Sequence, residues 1–575
     1  MKKKQNRSSF SHPAWDIAVI LLFSLIAIAV TLGRIGNRID HYTFSSSDAD
    51  NIASFAAAWD HPQYFINDPL LKDSANFRYY STIHIPLIRW LGEITGNYST
   101  PFAFLLFPFL LLHLSGYYLL GKVLFKNRIL SILCSLTLIV PVSINLGEVW
   151  GMYETIPRFL FQALLPFLLA AVVHYGQNIR HWPWLLVVTG LLVYIHPVSL
   201  PPWGLAILLT LYIMASDVPW RTRVVRLILS SLFFLLIISP FVFNYFSSTN
   251  FGSQVNVDYE AVREIMLQRF NFGLINLRVG LKDFIKITMF SSWLNITLWI
   301  LVFIGGVGLF IKKRKTEHNW AGYVLAAWWV AILIISVFLP VVDQLITSAL
   351  KRTPFEVELI RNIRYFIPLH LISAFYILSE LMSFTSAGIK SKKSSRIFIG
   401  IFAGSVLMLA WMIRYDFFKN PSISNNASCW KSGELVCSLP DQKMIDQRYD
   451  LLDAVKLSTP IGSRILCTEM STCLAIRYHS LRPLVYNYKD GASFIYTNFE
   501  DLLVWWQQYR SLWYIEKEIN DRRIYLNQLV WFADKNQTDY LVLSETFNSD
   551  NYYPSNLNLV YSNDYFSLFK INPKT

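Results

Sequence analysis

The sequence contains few charged residues. Of its 575 residues, 15% are charged and 54% are hydrophobic, whereas a typical soluble domain is about 25% charged. This shortage excludes an ordinary soluble enzyme, and the mean hydropathy of +0.37 indicates a multi-pass membrane protein. Internal repeats and low-complexity segments are also missing, which excludes solenoid and fibrous architectures.

Several catalytic motifs are missing as well. The C-terminal tail has no Gly-rich phosphate loop, no nucleophile elbow and no HExxH motif, so it matches none of the enzyme classes that these motifs define. Ionisable residues are also rare in the middle of the apolar runs, whereas a transporter usually carries such residues near the bilayer midplane. The acidic and basic candidates collect instead at the ends of the runs, which favours chemistry or binding at a membrane surface.

The net charge of +13 would suggest a nucleic-acid partner if it covered a soluble surface. The basic residues are confined to short loops between apolar runs, as the positive-inside rule describes for cytoplasmic loops. We therefore expect the lipid bilayer as a partner and no nucleic acid. The basic clusters are Lys2–Lys4, Lys126 with Arg128, Arg221–Arg226, Lys312–Lys315 and Lys390–Arg396.

Hydropathy over windows near the length of a membrane-spanning helix predicts about eleven spans. An odd number of spans with a cytoplasmic N-terminus puts every basic cluster inside and the C-terminal tail outside, in the plasma (inner) membrane. The predicted domains are a transmembrane domain over 1–414, with a first outer loop at 34–100, and an extracytoplasmic α/β domain over 415–575. The predicted spans are 14–33, 101–122, 129–146, 158–175, 182–198, 202–216, 226–246, 293–311, 321–341, 364–384 and 396–414.

Cysteine usage agrees with this topology. One of the five cysteines, Cys134, lies in a predicted span, and the other four lie in the tail. An oxidising compartment favours disulfides, and the local pairs are the favoured pairing among three possible ones. A four-cysteine zinc site is the alternative, although it usually has tighter spacing. The local pairs are Cys429 with Cys437 and Cys467 with Cys473.

The first outer loop opens with two aspartates, Asp48 and Asp50, directly after the first span. A helical pattern follows them, and we expect this helix to lie along the bilayer surface with its apolar side down. Carboxylates placed there can bind a divalent cation, Mg²⁺ or Mn²⁺, or accept a proton from a substrate at the interface. Capping of the helix N-terminus is the structural alternative.

Basic residues stand at the ends of later outer loops. Arg158 and the pair Arg361 and Arg364 begin helices on the outer side, where planar guanidinium groups can bind a phosphate. His196 lies in the turn YIHPVSLPPW, where it can bind phosphate or relay a proton. Contact with lipid headgroups is the alternative for the arginines, and a hydrogen bond to a free carbonyl is the alternative for His196.

The third outer loop and the tail differ in character. Residues 247–292 read as a surface-lying amphipathic helix able to cover a lipid-facing groove. The tail reads as a small α/β domain, with a helix and strand in DLLDAVKLSTPIGSRILCTE and further strands in ADKNQTDYLVLSE and NLVYSNDYFSLFKI. Its aromatic segment, which contains Trp505 and Trp506, suits stacking on sugars, contact with the membrane interface, or packing onto the transmembrane part.

The architecture resembles the GT-C superfamily of membrane glycosyltransferases: one span, an outer loop opening with acidic residues, many further spans and an outer C-terminal domain. The segments DADNIASFAAAWDHPQYFINDP, IPRFLFQALLPFLLA, YIHPVSLPP and RPLVYNYKDG look more like a bacterial family of multi-pass membrane proteins without an assigned activity. The superfamily resemblance implies a polyprenyl-phosphate-linked sugar as donor. It also implies that Asp48 or Asp50 is the catalytic base or metal-organising group, and that Arg158, His196, Arg361 and Arg364 contact the donor phosphate.

The leading hypothesis is an α-helical polytopic, GT-C-like glycosyltransferase that transfers a sugar to an acceptor of the cell envelope at the outer membrane face. The WWD motif of oligosaccharyltransferases is absent, because Gln507 follows the tryptophan pair. Protein glycosylation is therefore not favoured. The alternative is a non-catalytic transporter, or a scaffold for envelope polysaccharide.

Overall fold

The computed structural model is mostly helical, with one small sheet near the C-terminus. It describes residues 13–36, 38–41, 47–80, 82–140, 142–144, 148–152, 154–248, 258–270, 320–351, 353, 358–386, 429, 431–432, 441–548 and 551–572. The helices of the N-terminal part are α1 Pro13–Ile35, α2 Ser47–Asp60, α3 His84–Thr95, α4 Thr100–Phe125, α5 Arg128–Leu138, α6 Pro157–Tyr175, α7 Trp182–Leu191, α8 Leu200–Met214, α9 Trp220–Ser248, α10 Tyr259–Phe270, α11 Trp320–Leu333, α12 Leu339–Ala349 and α13 Phe366–Ser386.

Six helices in the described part of the chain are long and apolar enough to cross a membrane. They match six of the eleven predicted spans, and the chain is accordingly a membrane protein by its helix lengths and composition. The predicted spans 293–311 and 396–414 lie outside the described residues. The six helical segments are Pro13–Ile35, Thr100–Phe125, Pro157–Tyr175, Pro197–Met214, Trp220–Tyr245 and Trp320–Ala349.

Two other predicted spans are shorter than expected. The span predicted at 129–146 is a helix only to Leu138, and the chain then forms the antiparallel pair β1 Val142–Ile144 and β2 Glu148–Trp150. The span predicted at 182–198 is a helix only to Leu191, followed by a short 3₁₀ turn. A helix of ten or eleven residues rises about 15–17 Å, roughly half the hydrocarbon thickness. Each is therefore too short to cross the hydrocarbon layer by itself.

The helices differ in how much of their surface the protein covers. In α9 only 6% of the apolar stretch is buried, whereas in α6 the figure is 67%. Such an uncovered apolar helix suits contact with lipid. At the centre, α4 packs on α6, and Gly116 permits the close approach because a Cβ there would lie 2.7 Å from the Pro166 ring.

The C-terminal part is a small α/β unit. Its sheet has the order β3–β4–β6–β5, with β3 and β4 parallel and the other neighbours antiparallel. The predicted helix, turn and strands of the tail are present at the expected places. The elements are α14 Gln442–Ser458, β3 Ile465–Cys467, α15 Met470–Ala475, a π-helix Ile476–Ser480, α16 Asp490–Thr497, α17 Phe499–Glu518, α18 Arg522–Lys535, β4 Tyr540–Leu543, β5 Leu557–Ser562 and β6 Ser567–Ile571.

The prediction that α2 lies on the bilayer surface is wrong. Ala49, Ile52, Phe55 and the alanines around them are buried, and α2 packs against α3, α15 and the π-helix of the C-terminal part. The alanines allow protein to approach α2 from several sides, so α2 lies inside the protein. One hydrophobic core continues from the transmembrane helices through α2 into the C-terminal unit.

The amphipathic helix predicted in the third outer loop is also covered by protein. The described part of this loop is α10, and its apolar face, with Val262, Ile265 and Met266, is buried in the same core. It packs against α17 of the C-terminal unit. Its apolar face is thus directed at protein, while residues 271–292 lie outside the described part of the chain.

The cysteines and aromatic residues of the tail are part of its packing. Cys467 and Cys473 form a disulfide with Cα atoms 5.4 Å apart. Cys429 is also disulfide-bonded, and Cys437 lies outside the described residues. Trp505 is 2% exposed and stacks with Tyr509 at 5.6 Å between ring centroids.

Candidate active site

Asp48 lies in the first turn of α2, where two other regions of the chain reach it. Lys489 Nζ lies 2.6 Å from Asp48 Oδ1, and Arg158 Nη1, at the start of α6, lies 3.9 Å from Asp48 Oδ2. The Asp48 side chain is still 33% exposed. A ligand can therefore reach this carboxylate, which joins the first outer loop, a transmembrane helix and the C-terminal unit.

The surrounding cations set the charge state of Asp48. Burial by itself would raise the pKa of Asp48, but the charges of Lys489 and Arg158, with a smaller effect from Arg361, hold it well below its ordinary value of 3.8. Opposite charges at this distance favour the ionised form. Asp48 is therefore a carboxylate at neutral pH.

Asp50 has a different environment. Two residues along a helix correspond to a rotation of about 200°, so Asp50 is directed away from the Lys489 side of α2. It is 0% exposed, and the Tyr478 hydroxyl donates a hydrogen bond of 2.9 Å to Asp50 Oδ1. Asp50 therefore connects α2 to the π-helix.

Arg158, which contacts Asp48, and Arg361, whose charge acts on Asp48, each have a carboxylate of their own. Arg158 Nη2 lies 3.3 Å from Glu154 Oε2, with both side chains largely buried. Arg361 Nη1 lies 2.9 Å from Glu358 Oε1, and Arg361 belongs to the 3₁₀ helix Leu359–Tyr365. These carboxylates hold the guanidinium groups in fixed positions, as a preformed anion site requires.

His196 is fixed in its turn by hydrogen bonds. The Ser199 backbone N–H donates to His196 Nδ1 at 3.2 Å, and the Tyr365 hydroxyl donates to Ser199 Oγ at 2.7 Å. Because Nδ1 accepts, the neutral ring carries its proton on Nε2. The ring also lies in the electrostatic field of all three arginines, Arg158, Arg361 and Arg364, and of Asp48.

Buried polar groups extend this site into the bundle. Arg364 is 1% exposed, and Asn362 Nδ2 donates to the Val198 carbonyl at 2.8 Å. Gln162 lies one turn after Arg158 on α6 and is 0% exposed. Within the described residues, neither side-chain polar atom of Gln162 has a hydrogen-bond partner, and the same holds for Asn362 Oδ1. Buried amides are normally satisfied, so these groups suit a polar ligand.

The structure therefore brings most of the predicted site residues together. Asp48 and Arg158 are in contact, and the charge of Arg361 also acts on Asp48. The neutral His196 ring lies in the field of these groups and of Arg364. Asp50 is separate, because it is buried against Tyr478.

Sequence reasoning missed two residues of this site, Lys489 and Glu358. The signal for Lys489 was its place in RPLVYNYKDG, a segment already noted for its resemblance. The signal for Glu358 was its spacing of three residues before Arg361, which places the two charges on one helix face.

The surroundings of Asp48 do not fit a divalent cation. Lys489 and Arg158 occupy the space around both carboxylate oxygens, and Asp50 is directed elsewhere. Within the described residues, no group of three or more His, Cys, Asp or Glu side chains is arranged to hold a metal ion.

No protein-family model matches the sequence, and no curated protein matches it. The chain is similar to solved structures of the oligosaccharyltransferase of Archaeoglobus fulgidus. The complex of that enzyme with Zn and sulfate has 12% sequence identity and a TM-score of 0.47, over 91% of this chain and 67% of the other.

A second structure of the same enzyme, tethered to an acceptor peptide with the NVT sequon through a disulfide bond, has 13% identity and a TM-score of 0.44. It covers 92% of this chain and 69% of the other. Both TM-scores lie below 0.5, so neither similarity bears on the chemistry of the Asp48 site.

Proposed function

We propose that this protein is a membrane glycosyltransferase of the GT-C type, which transfers a sugar from a polyprenyl-phosphate donor to an acceptor of the cell envelope. The observation that carries the proposal is the meeting of an accessible carboxylate, Asp48, with Arg158 and Lys489, while further arginines lie close by. A carboxylate to accept a proton and cations to bind a phosphate are the two elements that such a transfer needs.

The charge balance of the site supports binding of an anion. Four cations gather there, namely Arg158, Arg361, Arg364 and Lys489, against the three carboxylates of Asp48, Glu154 and Glu358. Adding a phosphate would compensate the excess positive charge. Arginine is well suited to this because its planar group can donate two parallel hydrogen bonds to phosphate oxygens.

The proposed step is a single displacement at the anomeric carbon of the donor sugar. The acceptor hydroxyl oxygen forms the new bond to this carbon as the bond to the phosphate oxygen breaks. The electron pair leaves with the lipid phosphate, whose negative charge the arginines and Lys489 stabilise. The acceptor proton passes to Asp48.

The low pKa of Asp48 affects the timing of this step. An ionised carboxylate is ready to accept a proton, but its weak basicity favours transfer late, after the bond to the phosphate has largely broken. Binding of the donor phosphate to Arg158 and Lys489 would partly neutralise these cations and so raise the basicity of Asp48. The site would then be most basic when the donor is bound.

The proposal places the reaction at the outer face of the plasma membrane, with the C-terminal unit outside. Asp48, the start of α6, the His196 turn and the Arg361 segment all belong to loops that the charge pattern assigns to that side. A polyprenyl lipid in the bilayer would present its phosphate at this depth.

The test is an Asp48→Asn variant, expressed in the native host and compared with the wild type for its membrane glycans and glycolipids. Removal of a general base typically lowers a rate about 100- to 10,000-fold, so we expect loss of the product at normal protein level. The matched control is Asp60→Asn, on the same helix, where Asp60 pairs with Arg89 rather than with site residues. This control should keep the product.

A second measurement separates catalysis from binding. Native mass spectrometry with undecaprenyl phosphate should show that Asp48→Asn still binds the lipid, whereas Arg158→Gln binds it more weakly. Full glycan production by Asp48→Asn would overturn the assignment, and a transporter or scaffold would then be the better account.

A further inference from the structure

The His196 side chain is held from one side of its ring. The Ser199 backbone N–H donates to His196 Nδ1 at 3.2 Å, and Ser199 Oγ lies 2.8 Å from the same nitrogen. His196 is partly exposed, and its other nitrogen, Nε2, has no hydrogen-bond partner within the part of the chain that the structure describes. The turn therefore occupies Nδ1 and leaves Nε2 able to bond to a ligand.

A chain of hydroxyl groups leads from Tyr365 to His196. The Tyr365 hydroxyl donates to Ser199 Oγ at 2.7 Å, so the Ser199 hydroxyl can direct its own proton at His196 Nδ1. Hydroxyl groups that donate in series polarise one another, which strengthens each bond. The chain thus runs in one direction, from Tyr365 through Ser199, and His196 Nδ1 is its final acceptor.

The start of this chain is fixed by aromatic packing. Tyr365 is 0% exposed. Its ring lies 5.9, 6.4 and 5.4 Å from those of Trp150, Phe161 and Trp203, measured between centroids. Phe161 also packs edge-on against the His196 ring at 6.3 Å. Because the Phe161 ring contacts both ends of the chain in a close-packed interior, neither end can turn without displacing it.

Two features keep the His196 ring neutral. Nδ1 accepts from an N–H and an O–H group, and a proton on this nitrogen would face both donors. The positive charges of three arginines also act on the ring, against the single negative charge of Asp48, and like charges disfavour the imidazolium form. The arginines are Arg158, on α6, and Arg361 and Arg364, on the 3₁₀ helix. His196 is therefore a neutral ring whose Nε2–H can donate a hydrogen bond.

We propose that Tyr365 and Ser199 are positioning residues, which hold His196 as a neutral hydrogen-bond donor for a lipid phosphate bound at the arginines. A neutral N–H group adds directionality to the site, while the arginines already supply the positive charge. The inference rests on the proposed function for the identity of the ligand and deepens it by assigning His196 a fixed donor role. A proton relay is disfavoured, because the chain leads from His196 into the fully buried Tyr365 side chain.

The first test uses the full-length protein without ligand, in lipid nanodiscs, with isotope-labelled histidine. Solid-state nitrogen NMR distinguishes protonated from unprotonated ring nitrogens, and the spectrum of His196→Asn identifies the His196 signals by their absence. We expect an unprotonated Nδ1 and a protonated Nε2 at about pH 7. Tyr365→Phe should shift the Nδ1 signal, whereas Tyr194→Phe should not. Tyr194 is a matched control because its hydroxyl donates to the Ile237 carbonyl, outside the chain.

The second test is a double-mutant cycle on lipid binding, measured by native mass spectrometry with undecaprenyl phosphate. His196→Asn should weaken binding about tenfold, the scale of one hydrogen bond to a charged group. Tyr365→Phe alone should weaken binding about fivefold, and it should have no further effect when combined with His196→Asn. A purely structural role of Tyr365 would instead weaken binding equally in both backgrounds.

His196→Gln is the conservative variant. The amide nitrogen of Gln reaches about as far from the backbone as Nε2 of His, whereas that of Asn reaches only about as far as Nδ1. His196→Gln should therefore recover most of the affinity that His196→Asn loses.

Phosphatidylglycerol, an ordinary phosphate lipid, separates this inference from the proposed function. Coupling of Tyr365 and His196 with undecaprenyl phosphate alone supports both, whereas coupling with both lipids supports the positioning roles and contradicts a polyprenyl-specific site. Intact coupling together with full glycan production by Asp48→Asn would overturn the transferase assignment alone. The inference itself is overturned by a protonated Nδ1 in the wild type, by additive effects of the two substitutions, or by binding of neither lipid.

Discussion

Two ion clusters tie the loop of residues 34–100 to the C-terminal unit, and they differ in accessibility and charge balance. In one, Arg477 lies between Asp68 and Asp490 at 2.8 and 2.7 Å, with all three side chains at most 1% exposed. In the other, Asp48 meets Lys489 and Arg158, and its side chain is 33% exposed. Lys489 and Asp490 are adjacent in sequence, yet they belong to different clusters.

The hydrogen bonds show what each cluster is suited to do. Asp68 also accepts the backbone N–H groups of Leu70, Leu71 and Leu484, so the first cluster has little capacity for another partner. A buried cluster whose groups are hydrogen-bonded to one another in this way fixes the docking of two segments. The accessible Asp48 cluster, with its excess of cations, is suited to a ligand. Burial and charge balance therefore distinguish a structural ion cluster from a candidate binding site.

The largest expected effect is that of Arg477→Met. This substitution leaves Asp68 and Asp490 buried without their cation, which typically costs about 3–5 kcal/mol. We expect a strong fall in the thermal midpoint of the purified protein and in its resistance to protease.

A triple variant provides the control. Combining Arg477→Met with Asp68→Asn and Asp490→Asn removes all the charges, while the amide oxygen introduced at position 68 can still accept the backbone N–H groups of Leu70 and Leu71. This variant should recover most of the lost stability. If the single and triple variants were equally unstable, the ion cluster would not be the cause.

The second-largest effect is expected for Lys489→Met, and it concerns activity and not stability. Lys489 is one of two cations in direct contact with Asp48, and its removal should lower kcat/KM for the proposed transfer about tenfold, the scale of one charge-assisted contact. Stability should change little, because the Lys489 side chain is 21% exposed. Lys489→Arg, which keeps the charge, should recover part of the activity. Unchanged activity in Lys489→Met would remove Lys489 from the site.

The sequence predicted a large part of this architecture. The long apolar helices were found because nearly uniform apolar runs of this length are typical of membrane spans and rare in soluble domains. The strands of the tail were found because they are short apolar runs bounded by turn residues. The order β3–β4–β6–β5 could not be predicted, because pairing between distant strands depends on the packing of the whole unit.

The burial of α2 shows where sequence interpretation failed. An apolar helix face looks the same in sequence whether lipid or protein covers it. A usable signal was the spread of Ala49, Ala53 and Ala56–Ala58 around the helix, since a helix that is apolar on all sides is usually buried in protein. Lys489 was missed for a related reason: it lies 441 positions from Asp48, and the contact arises only when the tail packs on α2.

A smaller effect is expected for Asp50→Asn. Asp50 accepts a hydrogen bond from Tyr478, and the amide oxygen of Asn can accept the same bond, so the variant should lose about 1 kcal/mol of stability or less. Transferase activity should stay near the wild-type level, in contrast to Asp48→Asn. Tyr478→Phe is the partner variant and should lose more stability than Asp50→Asn, because it removes this donor from a buried carboxylate. If Asp50→Asn abolished the product at normal protein level, Asp50 would replace Asp48 as the catalytic candidate.

The smallest expected effect is the pH dependence that Asp48 gives to stability. Its pKa in the folded protein lies below the ordinary value of 3.8, so its contribution is present above that value and is lost as the pH falls toward the folded pKa. Because the side chain is 33% exposed, solvent screening should keep this contribution below about 1 kcal/mol. Thermal midpoints measured between about pH 4 and pH 2 should therefore fall slightly more steeply for the wild type than for Asp48→Asn. Lys489→Met removes one cause of the low pKa and should give an intermediate slope, whereas identical slopes in all three proteins would show that the cations do not stabilise the ionised form of Asp48.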